Sequence, residues 1–264
     1  MEKILFIGGG NMARALIAGI HKNFEIFVVE KNDEKRTALI KNFGVTTFCD
    51  SSQVKNWRDF DVVIFAIKPQ QFYEKTLFVH PAPQALIISI MAGVSIAKIS
   101  AFFTYHPKII RAMPNTPALM HKAVTGLFAG EKVSERRKKL AEKIFKSVGK
   151  TFWVDDEAQI NAVTALSGSG PAYIFYFLES FQKSALALGF DKKTARMLAL
   201  ETFSGSVELA QTDDFRELRH KVTSRGGTTE AAISILRKAD VVHIVQRAVR
   251  AAHSRARELS ELSA

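Results

Sequence analysis

The chain has 264 residues, 47% of them hydrophobic, enough for one or two domains around a substantial core. No stretch approaches the ~20 apolar residues of a membrane span. No basic segment runs into a signal-type apolar core, so a cytoplasmic protein without a membrane partner is expected. The single cysteine, Cys49, excludes an intrachain disulfide and a multi-cysteine metal site, and no metal is expected. A net charge of +11 suits nucleic acid or the steering of anionic small molecules. The basic residues are spread along helical segments, as in Arg136-Arg-Lys-Lys139 beside Glu135 and Glu142. No zinc-finger, RRM or basic-arm pattern occurs, so no nucleic-acid partner is expected.

The apolar run Lys3–Ile7 reads as a buried parallel strand closed by Gly8-Gly9-Gly10, with a helical pattern from Asn11. Gly8, Gly10 and Ala13 fit G-x-G-x-x-A. The first glycine allows the turn, the second lets a pyrophosphate approach bare backbone, and the alanine lets helix and strand pack closely. Strands are expected at Glu25–Glu30, Thr46–Cys49, Asp61–Ile67, Ala85–Ile90 and Lys108–Ala112, then at Val124–Ala129 and Thr151–Val154. Asp33 is expected to cap a helix that Gly44 ends, and Ser134–Val148 to form a basic helix. This alternation predicts βαβ units and a mostly parallel sheet. Ligands bind beyond the carboxyl ends of such strands. Gly8–Gly10, Lys68-Pro69, Met91–Gly93 and Met113–Thr116 all fall there.

Strand patterns stop near residue 155. Helices are expected over Asp155–Leu166, Ala172–Leu188, Asp191–Gln211, Asp213–Lys221, Thr229–Lys238 and Asp240–Leu259, with Ser167-Gly-Ser-Gly-Pro171 as a break after the first. The Ala172 helix is apolar nearly all round, which predicts burial in a core or against another subunit. Asp155-Asp156 and Asp213-Asp214 read as N-caps. The fold class is therefore α/β: an N-terminal Rossmann-type, mostly parallel sheet domain over 1–154, then an all-α domain over 155–264.

Glu30 lies 20 residues past Gly10 at the end of the second strand, where an acid accepts hydrogen bonds from the adenosine ribose hydroxyls of NAD. It equally fits an exposed acid beside Lys31, and Lys31 or Arg36 fits a 2′-phosphate. The cofactor stays open between NADPH and NADH. In Val222-Thr-Ser-Arg-Gly-Gly-Thr-Thr-Glu230, two glycines and several hydroxyls at a helix start suit a nest for a carboxylate or phosphate, or a plain capped turn. No histidine pair has metal-ligand spacing, and only His220 lies near that nest.

Together these stretches resemble the Δ1-pyrroline-5-carboxylate reductase family over nearly the whole length. The resemblance rests on Ile7–Ala13, Ala66-Ile-Lys-Pro69, Ser89–Gly93, Arg111-Ala-Met-Pro-Asn-Thr-Pro117, Leu166–Tyr173 and Val222–Thr229. It implies a Rossmann domain and a helical dimerisation domain with the active site between them, and homodimers that assemble further, typically into decamers. It implies hydride transfer from NAD(P)H to the C=N bond of the small-molecule substrate 1-pyrroline-5-carboxylate. Gly8, Gly10, Asn11 and Met12 are then expected at the pyrophosphate. Glu30, Lys31 and Ser51 are expected to bind the cofactor as well, and Ala66, Lys68, Pro69, Met91 and Ala92 to line its ribose and nicotinamide side. Gly227, Thr228 and Thr229 are expected to hold the substrate carboxylate, with Ser224 and the Thr229 hydroxyl as catalytic groups. Asn115 and Ser169 are expected to border the reacting rings. Arg225, Phe215 and His220 depart from the family pattern of proline, proline and aspartate, and Glu30 from its hydroxyl or small residue. The alternative is a related imine or β-hydroxyacid reductase of the same two-domain plan. Lys183, Lys192 and Lys193 are lysines of the required type for that chemistry, but none sits in a matching motif.

Overall fold

The computed structural model describes residues 1–72, 78–104 and 106–262. They divide into two compact units, Met1–Ser169 with Ala251–Ala264, and Gly170–Arg250. In the first unit, β1 (Lys3–Ile7), β2 (Glu25–Val29), β3 (Thr46–Phe48), β4 (Val62–Phe65), β5 (Leu86–Ser89), β6 (Ile109–Met113), β7 (Ala123–Ala129) and β8 (Gly149–Trp153) form one sheet. Its order is β3-β2-β1-β4-β5-β6-β7-β8. Every pairing is parallel except β6 with β7, which a short connection turns antiparallel.

Successive strand residues feed two different cores. Ile4, Phe6, Val28, Val62, Ile64 and Ile88 pack on one face with α1 (Asn11–Ile20) and α5 (Glu135–Lys146). Leu5, Ile7, Val29, Val63, Phe65 and Ile87 pack on the other with Trp57, Phe60, Phe72 and Ile99. Side chains alternate in direction, so a strand covered on both faces is apolar throughout. This explains the unbroken runs at β1, β4 and β5.

The remaining helices of this unit are α2 (Asp33–Phe43), α3 (Pro69–Phe72), α4 (Ile96–Phe102) and α6 (Gln159–Val163). The cap of α2 is Asn32, whose side chain accepts from the Lys35 N–H, and Asp33 lies in the first turn instead. Gly44 closes α2 in the left-handed conformation, φ 66°. In the basic helix α5 most charges are exposed, but Arg137 donates to the carbonyls of Asp61 and Gln84 and ties α5 to the strand entries.

Beyond β8 the expected helix at 155–166 is shorter. Residues 155–158 form turns, and Asp156 Oδ1 accepts from the Ala158 N–H rather than capping α6. The Ser167–Pro171 stretch, expected as a break in the helix, is irregular only at Ser169. A π-helical turn over Thr164–Gly168, closed by the Ser169 N–H on the Thr164 carbonyl at 2.8 Å, leads into α7 (Gly170–Ala187).

The second unit comprises α7, α8 (Lys192–Leu209), α9 (Phe215–Lys221), α10 (Thr228–Lys238) and the first part of α11 (Val241–Leu262). Asp191 and Asp214 cap α8 and α9, as carboxylates accepting first-turn N–H groups do. Asp213 is no cap; it pairs with Lys221 at 2.5 Å. The end of α11 belongs to the first unit. There Leu259 packs against Gly93, where an added Cβ would stand 3.0 Å from it, and Ser260 Oγ lies 3.2 Å from Asn161 Oδ1. Among the described residues no helix is long and apolar enough to cross a membrane, and no cluster of His, Cys, Asp or Glu could hold a metal ion.

Candidate active site

The β1–α1 turn is built by its three glycines in three different ways. Gly8 has φ +100°, and a Cβ there would meet the Ala66 carbonyl oxygen at 2.6 Å. Gly9 leaves room for Glu30, whose Cβ and Oε2 would each stand 3.1 Å from an added Cβ. Around Gly10 nothing lies within 4 Å, so its backbone faces open space. Gly10 also caps α1 without a side-chain bond. The first-turn N–H groups of Asn11, Met12 and Ala13 have no intrahelical acceptor, and the helix dipole favours an anion beside them. Open backbone at Gly10 with free donors behind it fits a dinucleotide pyrophosphate.

Around this turn lies a cavity of about 380 Å³. Of the residues expected at the cofactor, Gly8, Gly10, Glu30, Lys31, Ser51, Ala66 and Lys68 line it. Asn11, Met12, Pro69, Met91 and Ala92 do not. The Met91 side chain is buried in the second core cluster, and Ala92 packs beside Met113, Ile160 and Val163. Lys35, Asp50 and Gln71 line the cavity although the sequence did not single them out for it. Asp50 follows the end of β3, so the strand-end rule had a signal for it. Its carboxyl is held below the usual range by the Ser52 hydroxyl first, then the Cys49 thiol.

Glu30 is neither free nor simply exposed. Its Oε2 accepts from the Gly9 N–H at 2.8 Å and its Oε1 from the Asn32 N–H at 3.0 Å. The Ser51 hydroxyl accepts from the Phe78 N–H at 3.0 Å. Arg36 donates to the carbonyls of Glu30 and Lys31 and pairs with Asp33.

At the end of β6, Asn115 is buried and doubly bonded. Its Nδ2 donates to the Ser167 carbonyl at 3.1 Å, and its Oδ1 accepts from the Val124 N–H at 2.9 Å. It thereby ties the β6 exit to the π-helical turn that precedes Ser169. Arg111, four residues earlier within β6, is 3% exposed and bonds Glu157 Oε1 at 2.9 Å. Burial pushes its pKa down, while the Glu157 hydrogen bond and charge push it back up.

In the second unit, the α9–α10 loop forms the expected nest in part. Gly226 has φ +72°, and its N–H donates to Glu230 Oε2 at 2.7 Å. The Gly227 N–H is occupied by the Ser224 carbonyl at 3.1 Å. An added Cβ at Gly227 would stand 2.5 Å from Ser224 Oγ and would push that hydroxyl out of its place. Gly227 caps α10 with no side-chain bond, leaving Thr228 and Thr229 as first-turn donors. A cavity of about 540 Å³ on this loop is lined by Arg219, His220, Gly226, Gly227, Glu230 and Arg237 among others. Ser224, Thr228 and Thr229 do not line it.

A mostly parallel sheet with a glycine turn into α1 and an acid just beyond β2 is the dinucleotide-binding arrangement of the Rossmann class. Residues 3–93 match the model described as NADP oxidoreductase, coenzyme F420-dependent, and residues 157–259 match that for pyrroline-5-carboxylate reductase dimerisation. The chain is 38% identical to the pyrroline-5-carboxylate reductase of Haemophilus influenzae, with 98% of each covered. It is 37% identical to that of Pseudomonas aeruginosa, with 98% of this chain and 97% of the relative covered. The solved pyrroline-5-carboxylate reductase of Coxiella burnetii superposes with a TM-score of 0.83 at 37% identity, covering 97% of this chain and 98% of that one. The NADP-bound Plasmodium falciparum pyrroline carboxylate reductase gives 0.83 at 27% identity, covering 98% of both chains. The chain belongs to the pyrroline-5-carboxylate reductase family of NAD(P)-dependent oxidoreductases.

Proposed function

We propose that the chain reduces the C=N bond of 1-pyrroline-5-carboxylate to give L-proline, the last step of proline synthesis, in the cytoplasm. The observation that carries this is the full-length similarity to reductases of that name, joined to the open backbone at Gly10 beside the cavity. Bound NAD(P)H supplies the hydride. Gly8, Gly10, Asn11 and Met12 hold its pyrophosphate; Glu30, Lys31 and Ser51 hold the ribose end; Ala66, Lys68, Pro69, Met91 and Ala92 flank the rest. The substrate carboxylate binds the N–H groups of Thr228 and Thr229, helped by Gly227 and Ser224. The Thr229 hydroxyl bonds the ring nitrogen, and Asn115 and Ser169 border the reacting rings.

A cyclic imine is protonated near neutral pH, so the electrophile arrives activated and a strong general acid is unnecessary. Catalysis then rests on orientation and exclusion of water. We further propose that residues 1–154 act as the dinucleotide domain and 155–264 as the substrate and dimerisation domain, with dimers grouping into decamers. Following NADH and NADPH oxidation separately with pyrroline-5-carboxylate tests the activity. Thr229→Ala should lower turnover about a hundredfold while leaving dinucleotide binding intact. Equal loss of both would remove Thr229 from the substrate site.

A further inference from the structure

We propose that Glu30 makes this chain select NADH over NADPH, by holding its own carboxylate where the 2′-phosphate would have to sit. The inference rests on the dinucleotide-dependent reading above and adds the identity of the cofactor.

Two backbone donors from two different segments converge on this one side chain. Gly9 offers its N–H at 2.8 Å from the glycine turn, and Asn32 offers its N–H at 3.0 Å from the entry to α2. In a site built for a 2′-phosphate, N–H groups at this corner are free to bind the ligand. Here an internal anion already takes both. The side chain is also held in place. Glu30 Cβ and Oε2 come so near Gly9 that any Cβ there would stand 3.1 Å away, so a side chain at residue 9 would press on the Glu30 carboxylate.

The surrounding charges are of both signs. Asp50 lines the same cavity and adds a second carboxylate. Arg36, the nearest guanidinium in sequence, is turned onto the main chain, with Nη1 at 2.7 Å from the Glu30 carbonyl and 2.9 Å from that of Lys31, and its other arm on Asp33. Lys31, Lys35 and Lys68 also line the cavity and supply cations for the phosphates of either cofactor, so the discrimination falls to Glu30.

The chemistry of the ribose decides between the two cofactors. Each ionised carboxylate oxygen has a second lone pair beyond the one used by Gly9 or Asn32. The 2′- and 3′-hydroxyls of NADH are donors and can fill them. A 2′-phosphate is largely dianionic at neutral pH, brings no donor for them, and places like charge against Glu30.

The test is binding by titration calorimetry of 5′-ADP and of adenosine 2′,5′-bisphosphate, with kcat/KM for NADH and NADPH alongside. The unsubstituted protein should bind 5′-ADP at least about tenfold more tightly, and favour NADH by a similar factor. Glu30→Ser should narrow or invert both ratios, and thermal melting will show whether it folds. Equal or tighter binding of the bisphosphate by the unsubstituted protein overturns the proposal, as does a folded Glu30→Ser with unchanged ratios. If neither nucleotide nor either dinucleotide binds, the dinucleotide reading itself fails and this inference falls with it.

Discussion

In the unit of Met1–Ser169 with Ala251–Ala264, the strands place Ile4, Phe6, Val63, Ile64 and Phe65 at 0% exposure, enclosed on both faces of the sheet. In Gly170–Arg250, the buried hydrophobic residues among those described are three alanines, Ala185, Ala195 and Ala199. There the large side chains stand outside: Phe175 is 64% exposed, Tyr176 68% and Phe215 76%. Helix α7, expected to be apolar nearly all round, is thus not buried by its own chain, which leaves cover by another subunit as the surviving half of that expectation. A sheet can close a core within one chain because crossover helices cover both faces. Helices with apolar residues around most of their circumference cannot, and exposed apolar surface on this scale marks an association surface. The match of 157–259 to a dimerisation model agrees with a second copy as the covering partner.

The comparison breaks most visibly with a charge on the exposed face. Phe175→Glu should weaken self-association by about 2 kcal/mol or more, seen as dissociation by sedimentation velocity, while the sheet unit stays folded. Ile64→Ala should do the reverse. It should destabilise the sheet unit by about 3 kcal/mol in denaturant melts and leave association unchanged. Should Phe175→Glu leave the oligomer intact, that face of α7 is not where copies meet.

A second contrast concerns charge within the enclosed unit. Removing the partner of buried Arg111 by Glu157→Ala should cost about 3 kcal/mol. It also removes the acceptor for the Ile96 N–H, 2.7 Å away. A denaturant midpoint that does not move would show that water reaches the guanidinium.

The smallest effect is a pH dependence. His106 is 6% exposed, its Nε2 donating to the Ala82 carbonyl at 3.1 Å and its Nδ1 accepting from the Lys108 N–H at 3.3 Å. Burial pushes its pKa below 6.5, with the Lys108 charge adding to this and the Ala82 bond opposing it. The unfolded chain therefore binds this proton more readily than the folded one. Stability should be level above the unfolded value of about 6.5 and fall as pH drops below it through the folded value. His106→Gln should flatten that slope in melts between pH 7.5 and 5.

Much of the sheet was legible because its information is local. Strands β1, β4, β5 and β6 are built on short apolar runs, and Gly44, Asp191 and Asp214 mark helix ends by their own conformation or side chain. The antiparallel β7 was expected as a strand without its direction, since direction depends on how the chain returns to β6. Of the site, the glycine turn and Glu30 were found by spacing. The bond from Gly9 to Glu30 was not, because a carboxylate leaves no mark in sequence of the distant N–H it accepts. For the same reason, the sequence did not show that the Asn115 amide joins Val124 to Ser167.

By itself the sequence determined which segments are strands and helices, where the phosphate turn lies and to which family the chain belongs. Each of these follows from short-range periodicity, glycine placement and motif order. Only the tertiary structure decided what each polar group faces. It is folding that brings the end of β2 against the β1 turn, buries Arg111 beside Glu157 and leaves the apolar faces of the helical unit exposed. Those outcomes depend on distances between residues far apart in the chain, and no local pattern encodes them.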